Sequence, residues 1–295
     1  MNAGKFYGAD VLVMGGDLTG KGVVPIIERT PGTWEAAFVG RRVTAKTQER
    51  LTELEEDIRF NGMYPYRCQA DEVDALSQDE DAQEQLLERL ATESIAGWIR
   101  LADDRLEGTG IQCWVMPGND DPRSVDDAFA AATHTQNCDQ RVVELPDGYT
   151  MLSLSEANPT PWNSPRELSE KELAARIETL ASQVTDMSRA IFNLHVPPHA
   201  SDLDAAAELD EEFRPRHKGG APVIAAVGST AVREAIERHQ PLLGLHGHIH
   251  ESKGITKIGR TTCLNPGSTY NTGRLDGALI DLRRDTVRRV QMTSG

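Results

Sequence analysis

The sequence predicts an α/β protein whose functional site lies at the ends of its β-strands. Two observations lead to this fold class. Short apolar segments typical of buried strands repeatedly run into polar loops, and the segments between them have the apolar spacing of helices. The chain has 295 residues and no long linker rich in Gly, Ser or Pro, which predicts a single domain over residues 1–295.

The predicted elements alternate along the chain. Strands are assigned to short apolar or β-rich runs, helices to segments whose apolar residues recur every three or four positions, and turns to Gly and Pro signals. In chain order they are a strand at 9–14, β-rich pieces within 23–45, helices at 46–59 and about 79–106, a strand at 111–116, paired strands at 141–145 and 150–154, a helix at about 168–183, a strand at 190–194, a helix at about 229–239, a strand at 241–244 and short strands in the tail. We expect the residues around 46–106 to form a helical insertion that covers the site.

The composition argues against two classes of function. The formal net charge is −15 and the pI is about 5.0, so the surface repels nucleic acids and anionic membranes. The sequence also contains no basic stripe with interleaved aromatic residues. A protein of this charge that handles phosphate needs local positive charge, which bound divalent cations can supply.

The cysteines and the apolar runs bear on the compartment. The four cysteines are scattered and form no Cys-x-x-Cys motif, which in a chain of this length indicates reduced thiols and a cytoplasmic protein. No stretch of about 18 apolar residues predicts a membrane helix. The first residues are too polar for a signal peptide. The sequence gives no indication of an oligomeric state.

The segment Leu245-His246-Gly247-His248-Ile249-His250 is the most informative one for chemistry. It follows the apolar run at 241–244. Because residues two apart share one side of an extended backbone, His248 and His250 are expected to present two imidazoles to one point. Neutral imidazole is the commonest metal ligand among side chains. The alternative interpretation is a solvated, polar strand end.

Three other predicted strands also lead into a residue that can bind a metal ion. Asp17, Asn119 and His195 each follow one of the apolar runs. In layered α/β folds, functional sites gather outside the strand ends. Four strand ends that carry Asp, Asn and His side chains therefore predict one shared metal site.

The ordered set of motifs resembles the calcineurin-like metallophosphoesterases. The resemblance runs from about residue 9 to the C-terminus, and the matching motifs are Gly16-Asp17, Gly118-Asn119-Asp120-Asp121, Asn193-Leu194-His195-Val196-Pro197-Pro198, Gly247-His248-Ile249-His250 and Asn265-Pro266-Gly267-Ser268. The resemblance implies two packed mixed β-sheets flanked by helices. It also implies a metal-dependent hydrolase that acts on a phosphate mono- or diester in a small phosphorylated substrate.

The same resemblance implies a dinuclear metal site. Asp17 would bridge the two ions, Asn119, His195 and His248 would complete the protein ligands of the second ion, and His250 would bind the first. Mixed nitrogen and oxygen ligands suit Mn, Fe, Zn or Ni better than Ca. The two ions would activate a bridging hydroxide as the nucleophile and hold the phosphoryl oxygens during in-line attack.

One departure from the family concerns the first ion. The family normally opens with an Asp-x-His motif at the end of its first strand, and this chain has no such motif before Asp17. The first strand of the fold is therefore expected to be missing, either because the sequence is truncated or because the motif is lost. The first ion's site is incomplete, with only Asp17 and His250 among the matched ligands. The alternative function is thus a catalytically impaired member that acts as a binding or regulatory module.

A second departure concerns Asp120. The family often has a histidine at this position, and that histidine is thought to assist protonation of the leaving group. Asp120 is therefore the candidate catalytic residue, although adjacent cations favour the ionised form of a carboxyl group. Positioning of a water molecule, orientation of a neighbouring side chain and no chemical role are the open alternatives.

Overall fold

Helices and strands alternate along the chain in the computed structural model, which describes residues 1–295 apart from the side chain of Asn271. The α-helices are α1 (Asn2–Tyr7), α2 (Gln48–Phe60), α3 (Ala70–Ser77), α4 (Glu80–Leu106), α5 (Glu170–Ala181) and α6 (Thr230–His239). Short 3₁₀ helices lie at Arg123–Ala131, Pro146–Gly148, Met187–Arg189 and Tyr270–Thr272.

The β-strands are distributed over the whole chain. They are β1 (Val11–Gly15), β2 (Val23–Thr30), β3 (Thr33–Phe38), β4 (Arg41–Ala45), β5 (Tyr64–Cys68), β6 (Gln112–Met116), β7 (Thr135–Asn137), β8 (Arg141–Leu145), β9 (Tyr149–Leu154), β10 (Ala190–Leu194), β11 (Ala205–Ala207), β12 (His217–Lys218), β13 (Ala221–Pro222), β14 (Ile224–Ala226), β15 (Leu243–Leu245), β16 (Gly254–Ile258), β17 (Thr261–Asn265), β18 (Asp276–Arg283) and β19 (Thr286–Ser294). This alternation confirms the predicted α/β class.

The chain divides into two compact units. The larger unit consists of Met1–Leu18, Ile99–Ser268 and Leu275–Gly295, and the smaller unit consists of Thr19–Trp98 and Thr269–Arg274. The segment predicted as a helical insertion, 46–106, holds three helices and the strand β5. The interpretation of residues 1–295 as one domain with an insertion stays a prediction.

Two sheets pack against each other in the larger unit, and the larger of the two is mixed, as predicted. The six-stranded sheet has the order β16-β17-β15-β10-β9-β8 and is mixed, whereas β1, β6 and β7 form a smaller sheet that is entirely parallel. Trp114 and Met116 of β6 pack against Met151 of β9, Ile191 of β10 and Leu243 of β15. This interface is apolar because alternate side chains of each strand face the opposing sheet.

The second face of the six-stranded sheet is covered by α5 and α6. Leu173 and Ile177 of α5 and Val232 and Ile236 of α6 are fully buried in one apolar core with Phe192 of β10. Each such side chain contributes about 1.5–3 kcal/mol through its removal from water. The start of α5 has the capping box that its sequence predicts.

Parallel pairing brings the functional loops to common sheet edges. The register pairs Gly15 of β1 with Met116 of β6, and Asn193 of β10 with Leu245 of β15. The carboxyl ends of each pair therefore lie side by side. Because the two sheets also pack against each other, the polar loops after all four strands are neighbours.

The smaller unit is built on a four-stranded sheet with the order β4-β3-β2-β5. The helix α2 packs on one face through Leu51, Leu54 and Ile58, which contact Val24 and Ile26 of β2 within one core. The N-cap of this helix is a threonine at position 47, whose hydroxyl accepts a hydrogen bond from the backbone N–H three residues later.

No helix in the part of the chain described here combines the length and the apolar character that a membrane crossing requires.

The carboxylate of Asp103, on α4, ties this helix to the start of β7. It accepts hydrogen bonds from the backbone N–H groups of Thr133, His134 and Thr135, at 2.6, 3.0 and 2.8 Å, and from the hydroxyls of the two threonines. Burial alone would raise the pKa of Asp103, but these hydrogen bonds outweigh it and lower the pKa to about 2.

We expect Asp103→Ala to lower the free energy of unfolding by about 2 kcal/mol at pH 7, because charge-assisted hydrogen bonds are lost. The folded-state pKa lies below the unfolded value, so this contribution is present above about pH 4 and is lost as the pH falls through about 2. Urea unfolding at several pH values checks both points, with Asp104→Ala on the same helix as the control. A difference from wild type that does not shrink in acid would contradict the assignment.

Candidate metal centre

The five predicted metal ligands lie in the larger unit, in the loops that follow β1, β6, β10 and β15. Asp17 and His248 have positive φ values of 52° and 63°, in the left-handed region that non-glycine residues seldom occupy. Such strained backbone persists where surrounding contacts hold it in place. At both positions a sharp turn, rather than continued strand, directs the side chain.

Donor atoms from four loops converge on one point. The Oδ1 atom of Asn119 lies 3.0 Å from Nε2 of His195 and 2.7 Å from Nδ1 of His248. The Oδ1 atom of Asp17 lies 3.4 Å from the same His195 nitrogen. Asp17, His195 and His248 each offer a ligand atom, and these atoms lie within 4.8 Å of one another. The structure thus brings together four of the predicted ligands.

His250 lies beside this group, on the other oxygen of Asp17. Its Nε2 atom is 3.7 Å from Oδ2 of Asp17. The side chain of His250 is 33% exposed, whereas that of His195 is 1% exposed. One carboxylate therefore faces two sets of donors, one buried and one accessible from solvent.

The orientation of His195 leaves a lone pair directed at the cluster. Its Nδ1 atom lies 2.8 Å from the carbonyl oxygen of Gly15. A carbonyl can only accept, so Nδ1 carries the proton, and in the neutral ring Nε2 is bare. Nε2 then faces Oδ1 of Asn119 at 3.0 Å, with a lone pair on each atom. This arrangement is favourable only when a positive centre, a proton or a metal ion, lies between them.

The electrostatic environment also favours a cation. Burial lowers the pKa of His248 to about 4, with a further contribution from His195, so His248 is neutral at neutral pH and able to bind a metal. For His195, burial lowers the pKa, but the carboxylate of Asp17 more than compensates and the net direction is upward. The negative charge of Asp17 thus draws a positive charge to Nε2.

The donor set fits a divalent ion. Atoms that each lie about 2.0–2.2 Å from one ion are about 2.8–3.6 Å apart in octahedral or tetrahedral arrangements. The separations of 3.0 and 3.4 Å around His195 fall in this range. The 2.7 Å between Oδ1 of Asn119 and Nδ1 of His248 lies just below this range. The set combines imidazole nitrogen with carboxylate and amide oxygen, which suits Mn, Fe, Zn or Ni.

Two glycines permit this close approach. A Cβ atom on Gly16, whose φ is 117°, would lie 2.3 Å from Nδ1 of His195. A Cβ atom on Gly118 would lie 2.3 Å from both the backbone nitrogen and Oδ1 of Asp17. Glycine is required at both positions because a larger residue would displace the donors themselves.

Asp121 connects the loop after β1 to the loop after β6 through hydrogen bonds. It is fully buried, and its Oδ2 atom accepts hydrogen bonds from the N–H groups of Leu18, at 2.9 Å, and Gly118, at 2.7 Å. From the sequence alone, Asp121 is only part of a motif and has no assigned role, so this contact was missed. The two consecutive aspartates after Gly118-Asn119 were the available signal.

Asp120 contacts two members of the cluster, and its backbone N–H donates a hydrogen bond to Oδ1 of Asp17 at 3.3 Å. The Oδ1 atom of Asp120 accepts hydrogen bonds from Nδ2 of Asn119, at 2.8 Å, and from the hydroxyl of Ser164, at 2.9 Å. The first bond turns the amide of Asn119 so that Oδ1 faces the histidines. These contacts favour the orienting alternative for Asp120. Its assignment as a catalytic residue stays a prediction.

The extended geometry predicted for the histidine segment is wrong. Strand β15 ends at Leu245, and the positive φ of His248 turns the chain. The imidazoles of His248 and His250 approach Asp17 through this turn rather than through alternation along a strand. His246, by contrast, points into the core, where its Nδ1 lies 2.9 Å from the carbonyl of Leu194 and burial lowers its pKa to about 4.

Comparisons with known proteins give distant similarities. No model of a protein family matches the chain. The uncharacterised protein MJ1162 of Methanocaldococcus jannaschii is 29% identical over 153 residues, which cover 51% of this chain and 62% of that protein's length. This chain therefore matches less than two thirds of its relative.

Two solved structures are also similar. The crystal structure of TT1561 of Thermus thermophilus has 18% identity and a TM-score of 0.44, and the match covers 69% of this chain and 79% of that one. A second crystal structure has 12% identity and a TM-score of 0.48, with 93% and 99% covered. None of these similarities assigns the chain to a family.

Proposed function

We propose that this protein is a metal-dependent phosphoesterase that hydrolyses a phosphate mono- or diester. The observation that carries the proposal is the convergence of Asp17, Asn119, His195 and His248 from four strand ends, with His250 on the second oxygen of Asp17. The motif resemblance to calcineurin-like metallophosphoesterases supports the same assignment.

The cluster offers two unequal positions for a divalent ion. Asp17, Asn119, His195 and His248 would hold one ion, and Asp17 with His250 would hold the other. When bound at such a site, divalent cations neutralise phosphate charge and lower the pKa of a coordinated water. The position formed by Asp17 and His250 has fewer protein donors, so we expect the ion there, the first ion, to be held much more weakly than the second.

Hydrogen bonds around the cluster fix the positions of its side chains before an anionic ester binds. Gly15 and Asp121 hold the loops, and the hydrogen bond from Asn119 to Asp120 directs the amide oxygen inward. The buried His195 closes one side of the cluster, so the substrate approaches from the exposed side of His250. Because the net charge is −15, attraction of phosphate depends on the charge of the bound ion.

A cytoplasmic location also remains part of the proposal. All four cysteines, Cys68, Cys113, Cys138 and Cys263, are buried free thiols. Burial raises the pKa of each thiol to about 11 or 12, so these thiols are unreactive and suit a reducing compartment.

A second candidate is a metal-binding or regulatory module without catalytic activity. The specific observation in its favour is that Oδ2 of Asp17 faces His250, and this pair alone would hold the first ion only weakly. This candidate predicts that metal is bound but that phosphate esters are not turned over.

The His248→Ala variant tests the phosphoesterase. We expect it to lower Mn²⁺-dependent hydrolysis of bis(p-nitrophenyl) phosphate by more than about 100-fold, since direct ligands matter more than the outer groups whose loss costs about 10- to 100-fold. The control is His217→Ala, which alters an exposed histidine on β12. Hydrolysis that is equal in wild type and His248→Ala would contradict the proposal.

A further inference from the structure

Residues 158–166 form a closed loop beside the cluster. The loop begins and ends at a bridge between Ala157 and Glu167. The N–H of Ala157 donates to the carbonyl of Arg166 at 3.0 Å, and the N–H of Leu168 donates to the carbonyl of Ala157 at 2.9 Å. The two ends are thereby held together, as in compact surface loops that often carry function.

The loop is also fixed internally. The carboxylate of Glu167 accepts hydrogen bonds from the N–H of Thr160 at 3.0 Å, from the hydroxyl of Thr160, and from the N–H of Ser164 at 2.9 Å. Three of its residues are prolines, at positions 159, 161 and 165, and each proline ring restricts the backbone φ angle. The tip of the loop therefore loses little conformational entropy when it binds a ligand.

Several hydrogen bonds join this loop to the loop that carries Asn119. The hydroxyl of Ser164 donates to Asp120 at 2.9 Å, and the N–H of Arg166 donates to the carbonyl of Asn119 at 3.2 Å. The Nε–H of Arg166 donates to the carbonyl of Asp121 at 2.9 Å. The position of the closed loop is thus set by the same residues that hold the metal donors.

The tip of the closed loop presents an exposed tryptophan. Trp162 is 65% exposed, which leaves a large apolar ring in water on a rigid support. Trp162 lies two residues from Ser164, a distance of at most about 7 Å along the chain. A tryptophan ring is a large, rigid surface on which a planar group of a ligand can stack.

We propose that Trp162 stacks on an aromatic group in the alcohol part of the substrate. The site would then prefer phosphate esters of alcohols that carry a planar aromatic ring, as nucleosides do, over esters of aliphatic alcohols. This inference rests on the proposed function, because the cluster must hold the phosphate. Stacking of a base on an aromatic side chain is tolerant of base identity, so a preference for aromatic alcohols is expected without selection among bases.

Binding of AMP and of ribose 5-phosphate to the Mn²⁺-loaded full chain tests the inference, since the two ligands differ by the aromatic base. Wild type is expected to bind AMP about 5- to 100-fold more tightly than ribose 5-phosphate. In Trp162→Ala this ratio of affinities should fall to about one, while the affinity for ribose 5-phosphate stays unchanged. Trp162→Phe should keep most of the preference for AMP. Phe213→Ala, which removes an aromatic residue that is 53% exposed elsewhere, is the control and should not change the ratio. If the ligands are hydrolysed, the ratio of KM values replaces the ratio of Kd values, with kcat unchanged.

The possible results separate this inference from the proposed function. If no ester is hydrolysed but the AMP preference is lost only in Trp162→Ala, the hydrolase proposal fails and the stacking inference stands. If esters are hydrolysed but AMP is not preferred, or its preference survives in Trp162→Ala, the stacking inference is overturned. Absence of binding by both ligands would overturn it as well.

Discussion

The Asp17→Asn variant is expected to lose both metal binding and phosphoester hydrolysis, each by more than about 100-fold. The carboxylate of Asp17 faces His195 through one oxygen and His250 through the other. Asparagine keeps the shape but removes the negative charge and replaces one oxygen with a donor, which repels a cation. Metal affinity by titration calorimetry and Mn²⁺-dependent turnover are the two measurements.

The control for Asp17→Asn is Asp10→Asn, which removes an exposed carboxylate just before β1. We expect Asp10→Asn to retain wild-type metal affinity. Asp17→Asn should still fold, because asparagine has the same shape and its amide oxygen can still accept the hydrogen bond from the backbone N–H of Asp120. Wild-type metal binding in Asp17→Asn would place the metal elsewhere.

The Arg166→Met variant is expected to lower the free energy of unfolding by about 3–5 kcal/mol. Arg166 is fully buried, and its guanidinium donates to the carbonyls of Asp121 and Pro122 at 2.9 and 3.1 Å. It also forms ion pairs with Asp126 at 3.1 Å and with Asp139 at 3.6 Å. Methionine fills much of the space but leaves the buried carboxylate of Asp139 without its cation.

Urea unfolding of Arg166→Met measures this loss, with Arg238→Met as the control. Arg238 is 60% exposed and pairs with Glu178 at the surface, where ion pairs contribute about 1 kcal/mol or less. We also expect weaker metal binding in Arg166→Met, because the loop that carries Asn119 loses its support. Unchanged stability would mean that the desolvation of Arg166 cancels its interactions.

Local patterns predicted the strands and the donors of the site. The apolar runs before Asp17, Asn119, His195 and His248 correspond to β1, β6, β10 and β15. Parallel strands that are buried on both faces consist almost entirely of apolar residues, so they can be recognised in the sequence as apolar runs. The gathering of their polar loops outside the strand ends was expected from the fold class.

Interactions between distant segments could not be read from local patterns. Arg166 donates hydrogen bonds to Pro122 and Asp126, which are 44 and 40 residues away in the sequence. No sequence periodicity indicates that this arginine is buried. Strand β7 is a short polar segment, Thr135–Asn137, whose pairing depends on β6 and on the anchor at Asp103. The turn at His248 was missed because a positive φ in a non-glycine residue is imposed by tertiary contacts.

The most direct test of the metal-centre assignment is the metal content of the Mn²⁺-loaded full chain, measured by elemental analysis, with phosphodiester turnover read on the same sample. The proposal predicts at least one tightly held ion per chain and metal-dependent turnover in wild type, with both lost in Asp17→Asn. Bound metal without turnover would favour the binding module over the enzyme. Metal content that is equally low in wild type and Asp17→Asn would contradict the metal centre itself.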